Sequence, residues 1–285
     1  MKKIKNVTTW SYNRIADDQS GQGEYKSSYI EYDRNDRITC SISYYPTGEI
    51  ESKSTSVYDE DGKILEEVNY ITEEEIGEKS VYIRDENGKI LEVTIEYADG
   101  SGSVKKYEWN DSEGSHNVTI CDDDGEVEGK EYRKFTDDEK ILEEIIWNED
   151  GEIEQKVLRE FNENGDVIKR TDYRENEEFV VERNFTYDDR GNLLKVIGYD
   201  RNRNISEHIE MAYDEKDRML EQNIRNVYRV KFEYNDEENV TKEERYNPNG
   251  VLDLETVTKY DENGLVLEES TPVSNTRYEY EFYEE

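Results

Sequence analysis

The chain has 285 residues and a formal net charge of −36, with charged residues at 39% and hydrophobic residues at 33%. Such acidity disfavours direct binding to a nucleic-acid backbone, which draws on Lys and Arg, and suits a basic partner or strong solubility. Low hydrophobicity with high charge also describes disorder, but 23 tyrosines and only three prolines argue for a folded chain, because Tyr, Ile, Val and Thr suit a pleated sheet.

The N-terminus, Met1-Lys2-Lys3-Ile4-Lys5-Asn6, has the basic residues of a secretion signal, but the stretch Val7 to Asn13 is polar where an apolar run should follow. No segment approaches the roughly 20 apolar residues of a membrane helix. A cytoplasmic location is expected. Residues 1–26 fit no period and are expected as an N-terminal cap or first irregular strands.

From residue 27 to 285 a single theme recurs. An aromatic or Arg is followed by a short turn rich in Asp, Asn and Gly, at Tyr32, Tyr58, Arg84, Trp109, Phe135, Phe161, Tyr187, Tyr213, Tyr234 and Tyr260. The steps are 25 or 26 residues, except for 21 between Tyr213 and Tyr234. A second turn lies midway in most periods, at Tyr45, Tyr97, Cys121, Trp147, Tyr173, Tyr199 and Tyr246. Fixed-period similarity over a chain marks a repeat architecture.

One period reads Lys140 to Trp147, turn Asn148-Glu149-Asp150-Gly151, Glu152 to Phe161, turn Asn162-Glu163-Asn164-Gly165. Gly, Asn and Asp supply the left-handed angles of tight turns, and short runs between such turns read as successive hairpins. The expected fold is all-β: tandem β-hairpin repeats of 26-residue period forming one long, twisted or curled antiparallel meander of about twenty strands. The short step predicts a tight turn near Asn223-Ile224-Arg225-Asn226. The run Thr276 to Glu285 alternates and reads as a closing edge strand.

Alternation places Ile205, Ile209, Met211 and Tyr213 on one strand face, interrupted by Glu207. Phe179, Val181, Phe185 and Tyr187 share another face, interrupted by Arg183. An apolar face must be covered, so the aromatic face is expected to turn inward, with Tyr187, Tyr199, Tyr213, Trp147 and Phe161 clearly more buried than Glu182, Glu210 or Lys156.

The motif Tyr187-Asp188-Asp189-Arg190-Gly191-Asn192-Leu193, repeated as Tyr58-Asp59-Glu60-Asp61-Gly62-Lys63-Ile64, resembles the YD repeats of Rhs and teneurin proteins. That resemblance implies a spiralling antiparallel sheet able to enclose a cargo. The motif Tyr44-Tyr45-Pro46-Thr47-Gly48-Glu49-Ile50 resembles instead the MORN-variant repeats of bacterial antitoxins. Rhs proteins carry a toxin domain after the repeats. Here the repeats run to Glu285, so the resemblance implies a toxin-neutralising role rather than a toxin.

The acidic turns Asp59-Glu60-Asp61-Gly62, Asp122-Asp123-Asp124-Gly125 and Asp261-Glu262-Asn263-Gly264 invite a calcium reading. A calcium loop needs six to eight oxygens and a distal bidentate carboxylate, whereas turn chemistry alone accounts for these residues. His116 and His208 have no Cys or His at ligand spacing and read as surface histidines. Cys40 and Cys121 read as free thiols. No carboxylate pair stands out as an acid–base couple, and no phosphate-cradling loop precedes a helix. The expectation is therefore a protein without enzymatic activity, metal or cofactor.

The leading expectation is an acidic binding protein, a bacterial immunity protein that occludes the basic active-site surface of a toxin encoded nearby. It would bind neither nucleic acid directly nor membrane. Glu73, Glu74 and Glu75, with Asp122, Asp123 and Asp124, are the candidate contact residues, since opposite charge speeds encounter. The alternatives are a structural or cell-surface repeat module and a nucleic-acid mimic that inhibits a DNA-binding protein.

Overall fold

The computed structural model of the protein describes residues 2–13 and 23–284. Among them the chain is all-β. Its first strands are β1 (Ile4–Asn13), β2 (Tyr25–Tyr32), β3 (Ile38–Tyr44), β4 (Ile50–Tyr58), β5 (Ile64–Tyr70), β6 (Ile76–Arg84) and β7 (Ile90–Tyr97). There follow β8 (Gly102–Asn110), β9 (Ser115–Asp122), β10 (Val127–Phe135), β11 (Ile141–Trp147), β12 (Ile153–Phe161), β13 (Val167–Arg174), β14 (Glu178–Tyr187), β15 (Leu193–Tyr199), β16 (Ile205–Tyr213), β17 (Met219–Ile224) and β18 (Tyr228–Tyr234). The last are β19 (Val240–Tyr246), β20 (Leu252–Tyr260), β21 (Val266–Ser270) and β22 (Ser274–Phe282). The helical element among the described residues is a single 3-10 turn, Glu175–Glu177. Contacts group the chain into two compact units: Met1–Gly102 with Glu233–Glu244 and Leu254–Glu285, and Ser103–Phe232 with Arg245–Asp253.

The turns follow one chemical plan. In the turn after β14 the Asp188 amide donates to the Asn192 carbonyl at 2.9 Å, and the Gly191 amide donates back to the Asp188 carbonyl at 3.1 Å. The Asp188 carboxylate accepts from the amides of Arg190 and Asn192, both at 2.9 Å. The fourth turn position needs positive φ. Gly191 supplies it at 90°, and Asp36 and Asp217 take the same slot at 63° and 64°, as Asp tolerates better than most residues. Each turn Asp therefore stabilises its own loop. The short step between Tyr213 and Tyr234 is taken up by a tight turn, Arg225 to Val227, in which the Val227 amide donates to the Ile224 carbonyl at 3.0 Å.

Neighbouring strands are antiparallel, and most hairpins carry a register shift at the aromatic before the turn, as at Thr186/Tyr187 and Ala212/Tyr213. Such bulges bend a strand and increase its twist, so repeating them curls the sheet in one sense. All 22 strands belong to one sheet. β22 is not an edge: it pairs β21 on one side and β1 on the other, with Val7 opposite Tyr280 and Thr9 opposite Tyr278. β1 in turn pairs β2. The expected twisted or curled meander, with its last strand as an edge, is corrected at its ends: β1 and β22 pair with each other, which satisfies the N–H and C=O groups that an edge would leave bare. The stretch expected as an N-terminal cap contains β1; its residues 14–22 lie outside the described residues.

The core is thin. The buried hydrophobic residues are valines near strand centres, Val68 and Val93 in the first unit and Val118, Val157, Val196 and Val230 in the second. The aromatic residues before the turns are not the core. Tyr187, Tyr199, Tyr213, Trp147 and Phe161 are only half-buried, and so are Glu182 and Lys156. Glu210 is exposed, as expected, but the contrast between an aromatic inner face and a charged outer one fails at Glu182 and Lys156. A charged ladder explains why. In the second unit Lys105 pairs with Glu131 at 3.3 Å, Arg133 with Glu131 and Glu144 at 3.3 and 2.7 Å, and Arg183 with Asp172 and Glu207, both at 2.6 Å. The register puts these residues on the face of Val118 and Val157, since Glu131 lies opposite Val118 and Glu144 opposite Val157. Ion pairs within a strand, between neighbouring strands and across one intervening strand fill positions that apolar side chains occupy in an ordinary sheet.

Candidate functional site

In an antiparallel meander alternate turns lie at the same end of the strands. In the second unit this brings three acidic turns into succession: Asp122 to Glu126 after β9, Asn148 to Glu152 after β11, and Arg174 to Glu178 after β13. They hold ten carboxylates and one Arg. Two carboxylates are paired, Glu177 with Lys156 at 2.7 Å and Glu178 with Arg174 and Arg201 at 3.3 and 3.2 Å. The other eight, Asp122, Asp123, Asp124, Glu126, Glu149, Asp150, Glu152 and Glu175, have no cation within ion-pair distance among the described residues.

Asp122, Asp123 and Asp124 converge: their carboxylate oxygens lie within 4.8 Å of one another. Asp122 is half-buried and accepts the Glu126 amide at 2.7 Å, while Asp123 and Asp124 are exposed. Three carboxylates fall short of the six to eight oxygens of a calcium site. Glu73, Glu74 and Glu75 are exposed in the turn after β5, in the first unit, where Lys53 donates to the Glu73 carbonyl at 2.6 Å. Of the six predicted contact residues, Glu73, Glu74 and Glu75 thus lie in the first unit and Asp122, Asp123 and Asp124 in the second.

Beside the middle turn of the second unit lies a cavity of about 600 Å³. Trp147, Glu108, Glu149, Asp150, Lys130 and Glu131 line it. Glu131 is already engaged by Lys105 and Arg133. Glu108, Glu149, Asp150 and Lys130 form no ion pair among the described residues. Sequence reasoning named Trp147 only as a structural anchor and passed over Glu108, because the strand register that unites them is not visible in the sequence.

Both histidines depart from the surface reading. His208 is half-buried, with Nε2 at 3.1 Å from a Glu210 carboxylate oxygen. His116 is 4% exposed and caged by aromatic rings: Trp109 at 4.5 Å and Tyr107 at 5.5 Å, both edge-on, and Phe135 at 5.3 Å. Neither of its ring nitrogens has a hydrogen-bond partner among the described residues. Burial, and secondarily the Arg133 guanidinium, hold its pKa below the ordinary value, with Glu131 opposing.

Asp188 and Asp261 carry lowered pKa values for a local reason. At Asp188 the leading cause is the Asn192 side-chain amide, followed by the Asn192 and Arg190 backbone N–H groups. At Asp261 it is the Leu265 N–H. These carboxylates stay ionised and serve their own turns.

Residues 55–71 match the MORN repeat variant family. Among curated proteins nothing matches. Of the solved structures, a TcdB2–TccC3–Cdc42 complex is similar at 13% identity and TM-score 0.44, over 86% of this chain and 15% of that one. The Photorhabdus luminescens Tc holotoxin pore is similar at 9% identity and TM-score 0.35, over 95% of this chain and 18% of that one. A porin-like protein of Bacteroides uniformis is similar at 9% identity and TM-score 0.38, over 98% of this chain and 96% of that one. The chain therefore spans less than a fifth of the Tc toxin chains it matches. With a MORN-variant unit at residues 55–71 and the same hairpin plan recurring from β2 onward, the chain is an all-β repeat protein.

Proposed function

We propose that this protein is a non-enzymatic binding module that neutralises a basic protein partner, as an immunity protein does when it covers the basic active-site surface of a toxin. The observation that carries the reading is the row of three turns in the second unit, with eight carboxylates that pair with no cation among the described residues. Side chains elsewhere are arranged differently: the strands of the same unit pair their charges one against another, from Lys105 to Glu207. Uncompensated charge of one sign gathered at one end raises the local concentration of an oppositely charged protein and orients its approach. The cytoplasm is the proposed location, where such a partner would be met before it acts.

Association kinetics test this reading. The protein is mixed by stopped flow with the product of the adjacent gene at increasing salt. Steering predicts an on-rate that falls at least about tenfold as the Debye length shortens from about 30 Å at 0.01 M to about 8 Å at physiological ionic strength. The off-rate changes less, because short-range contacts hold the complex. A salt-independent on-rate, or no binding to any neighbouring gene product, would favour a structural repeat module instead.

A further inference from the structure

We propose that the cavity beside Trp147 is the point at which the partner is anchored, and that it takes the guanidinium of an arginine side chain. This rests on the reading of the protein as an acidic binding module and adds to it a site and a residue type.

The cavity has the two components that such a side chain needs. The first is an aromatic wall. Trp147 ends β11 and is half-buried, and its indole makes no hydrogen bond or ring contact among the described residues. Trp binds cations over its ring more strongly than Tyr or Phe does, and at protein interfaces Trp and Arg are the residues that most often carry affinity. The second is unpaired negative charge. Glu108 on β8 and Glu149 and Asp150 in the turn after β11 all line the cavity. None has a cation of its own among the described residues. Against them stands one free Lys130, opposite Trp147 in the register, so the free groups at the cavity sum to −2.

Arginine suits this site better than lysine. Its planar guanidinium stacks on an indole, bonds a carboxylate through two parallel N–H groups, and is more weakly hydrated than an ammonium. The volume of about 600 Å³ lies within the range of ligand-sized clefts, about 300–1,000 Å³, so a whole arginine side chain with a turn of its own backbone fits. The occupant is thus an arginine on a loop of a basic protein. The exposed acids of the neighbouring turns would surround it as a rim.

The test uses the full chain with hexa-arginine and hexa-lysine peptides as probes, read by calorimetry and by the indole N–H resonance of Trp147. Hexa-arginine should bind more tightly than hexa-lysine and move that resonance saturably. Trp147→Leu should weaken hexa-arginine about fivefold, the scale of one partly desolvated cation–π contact. Glu149→Gln combined with Asp150→Asn, exposed turn changes that leave the strands intact, should weaken it by a similar factor, about fivefold. Lys130→Gln should tighten it. Glu73→Gln, Glu74→Gln and Glu75→Gln together, outside this unit, should change it less than about twofold. If hexa-arginine binds but the cavity variants weaken it no more than the Glu73–Glu75 control, the cavity is not the anchor, while the acidic-module reading stands. If hexa-arginine fails to bind at low salt, the anchor is overturned, and the reading is then judged on the kinetics with the neighbouring gene product.

Discussion

Arg183 and Glu207 lie 24 residues apart in sequence and 2.6 Å apart in the structure. They sit on β14 and β16, and between them on β15 is Gly198, which faces Arg183 on one side and Glu207 on the other. The same guanidinium reaches Asp172 on β13 at 2.6 Å. One arginine thus ties four strands together through a position that has no side chain.

Removing that arginine should be costly for its exposure. Arg183→Met leaves Glu207 without its cation and Asp172 with only Arg170, at 2.7 Å. The three side chains are 15–31% exposed, so the loss should be well below that of a fully buried pair, about 1–2 kcal/mol. A urea midpoint equal to that of the parent protein would contradict the ladder's contribution.

Gly198 gives a sharper test. A Cβ there would stand 2.8 Å from the Cβ of Glu207 and 3.2 Å from its carboxylate. Gly198→Ala must push the partner strand or the salt bridge aside, and overpacking of this kind costs about 1–3 kcal/mol. Gly23→Ala, where a Cβ meets nothing within 4 Å, is the control and should leave the midpoint unchanged.

The aromatic of the repeat bonds backward along the chain. Tyr187 donates to the Val167 carbonyl at 2.8 Å, Tyr213 to Leu193 at 3.0 Å, Tyr58 to Ile38 at 2.8 Å and Tyr260 to Val240 at 2.7 Å. In each case the last residue of a strand caps the first residue of the strand before it. Tyr187→Phe keeps the ring and removes only the donor, and should cost about 1 kcal/mol, a typical net hydrogen bond. Combining it with Tyr58→Phe, in the other unit, should add the two effects to within about 0.5 kcal/mol. Denaturation curves of both single variants and the double variant check this.

His116 makes stability depend on pH. Its folded pKa lies below the ordinary value of 6.5 because burial disfavours the cation. Above 6.5 the ring is neutral in both folded and unfolded chains and nothing is lost. As pH falls below 6.5 the unfolded chain takes up a proton that the folded one resists, so stability declines toward the folded pKa. The facing groups are Trp109 and Tyr107 from β8 and Arg133, Phe135 and Glu131 from β10. His116→Phe, which suits the aromatic cage, should flatten the decline in unfolding free energy measured between those two pH values. An unaltered slope would place the dependence elsewhere.

The acidic triad should separate steering from folding. Asp122 holds its turn through the Glu126 amide and is best left in place. Asp123→Lys with Asp124→Lys should lower the on-rate for a basic partner. Thermal stability should hold or improve, because like charges within 4.8 Å are relieved in a chain at −36. A large fall in melting temperature would show that the pair has a structural role.

Much of the repeat was legible before any coordinates. The Asp and Gly of each turn announce themselves because their requirements, a positive φ and a carboxylate over two amides, are met within five residues. Even the interruptions were visible: Arg183 and Glu207 stood out as charges on faces that alternation marked as apolar. Their spacing hid that each is the other's answer. The cavity at Trp147 was hidden for the same reason, since Glu108 and Asp150 are 42 residues apart and meet only through the register of β8 to β11.

The sequence by itself determined the local events: strands, turns, their period of about 26 residues, and the sign of the surface charge. Those depend on contacts within a few residues, where backbone preference decides. Tertiary structure alone decided that β1 and β22 pair, that charge rather than aromatic rings fills much of one face, and that His116 is sealed among Tyr107, Trp109 and Phe135. Each of these is set by how far the bulged strands curl and by which rungs come level across neighbouring strands. A shift of one residue in register would turn every such side chain to the opposite face.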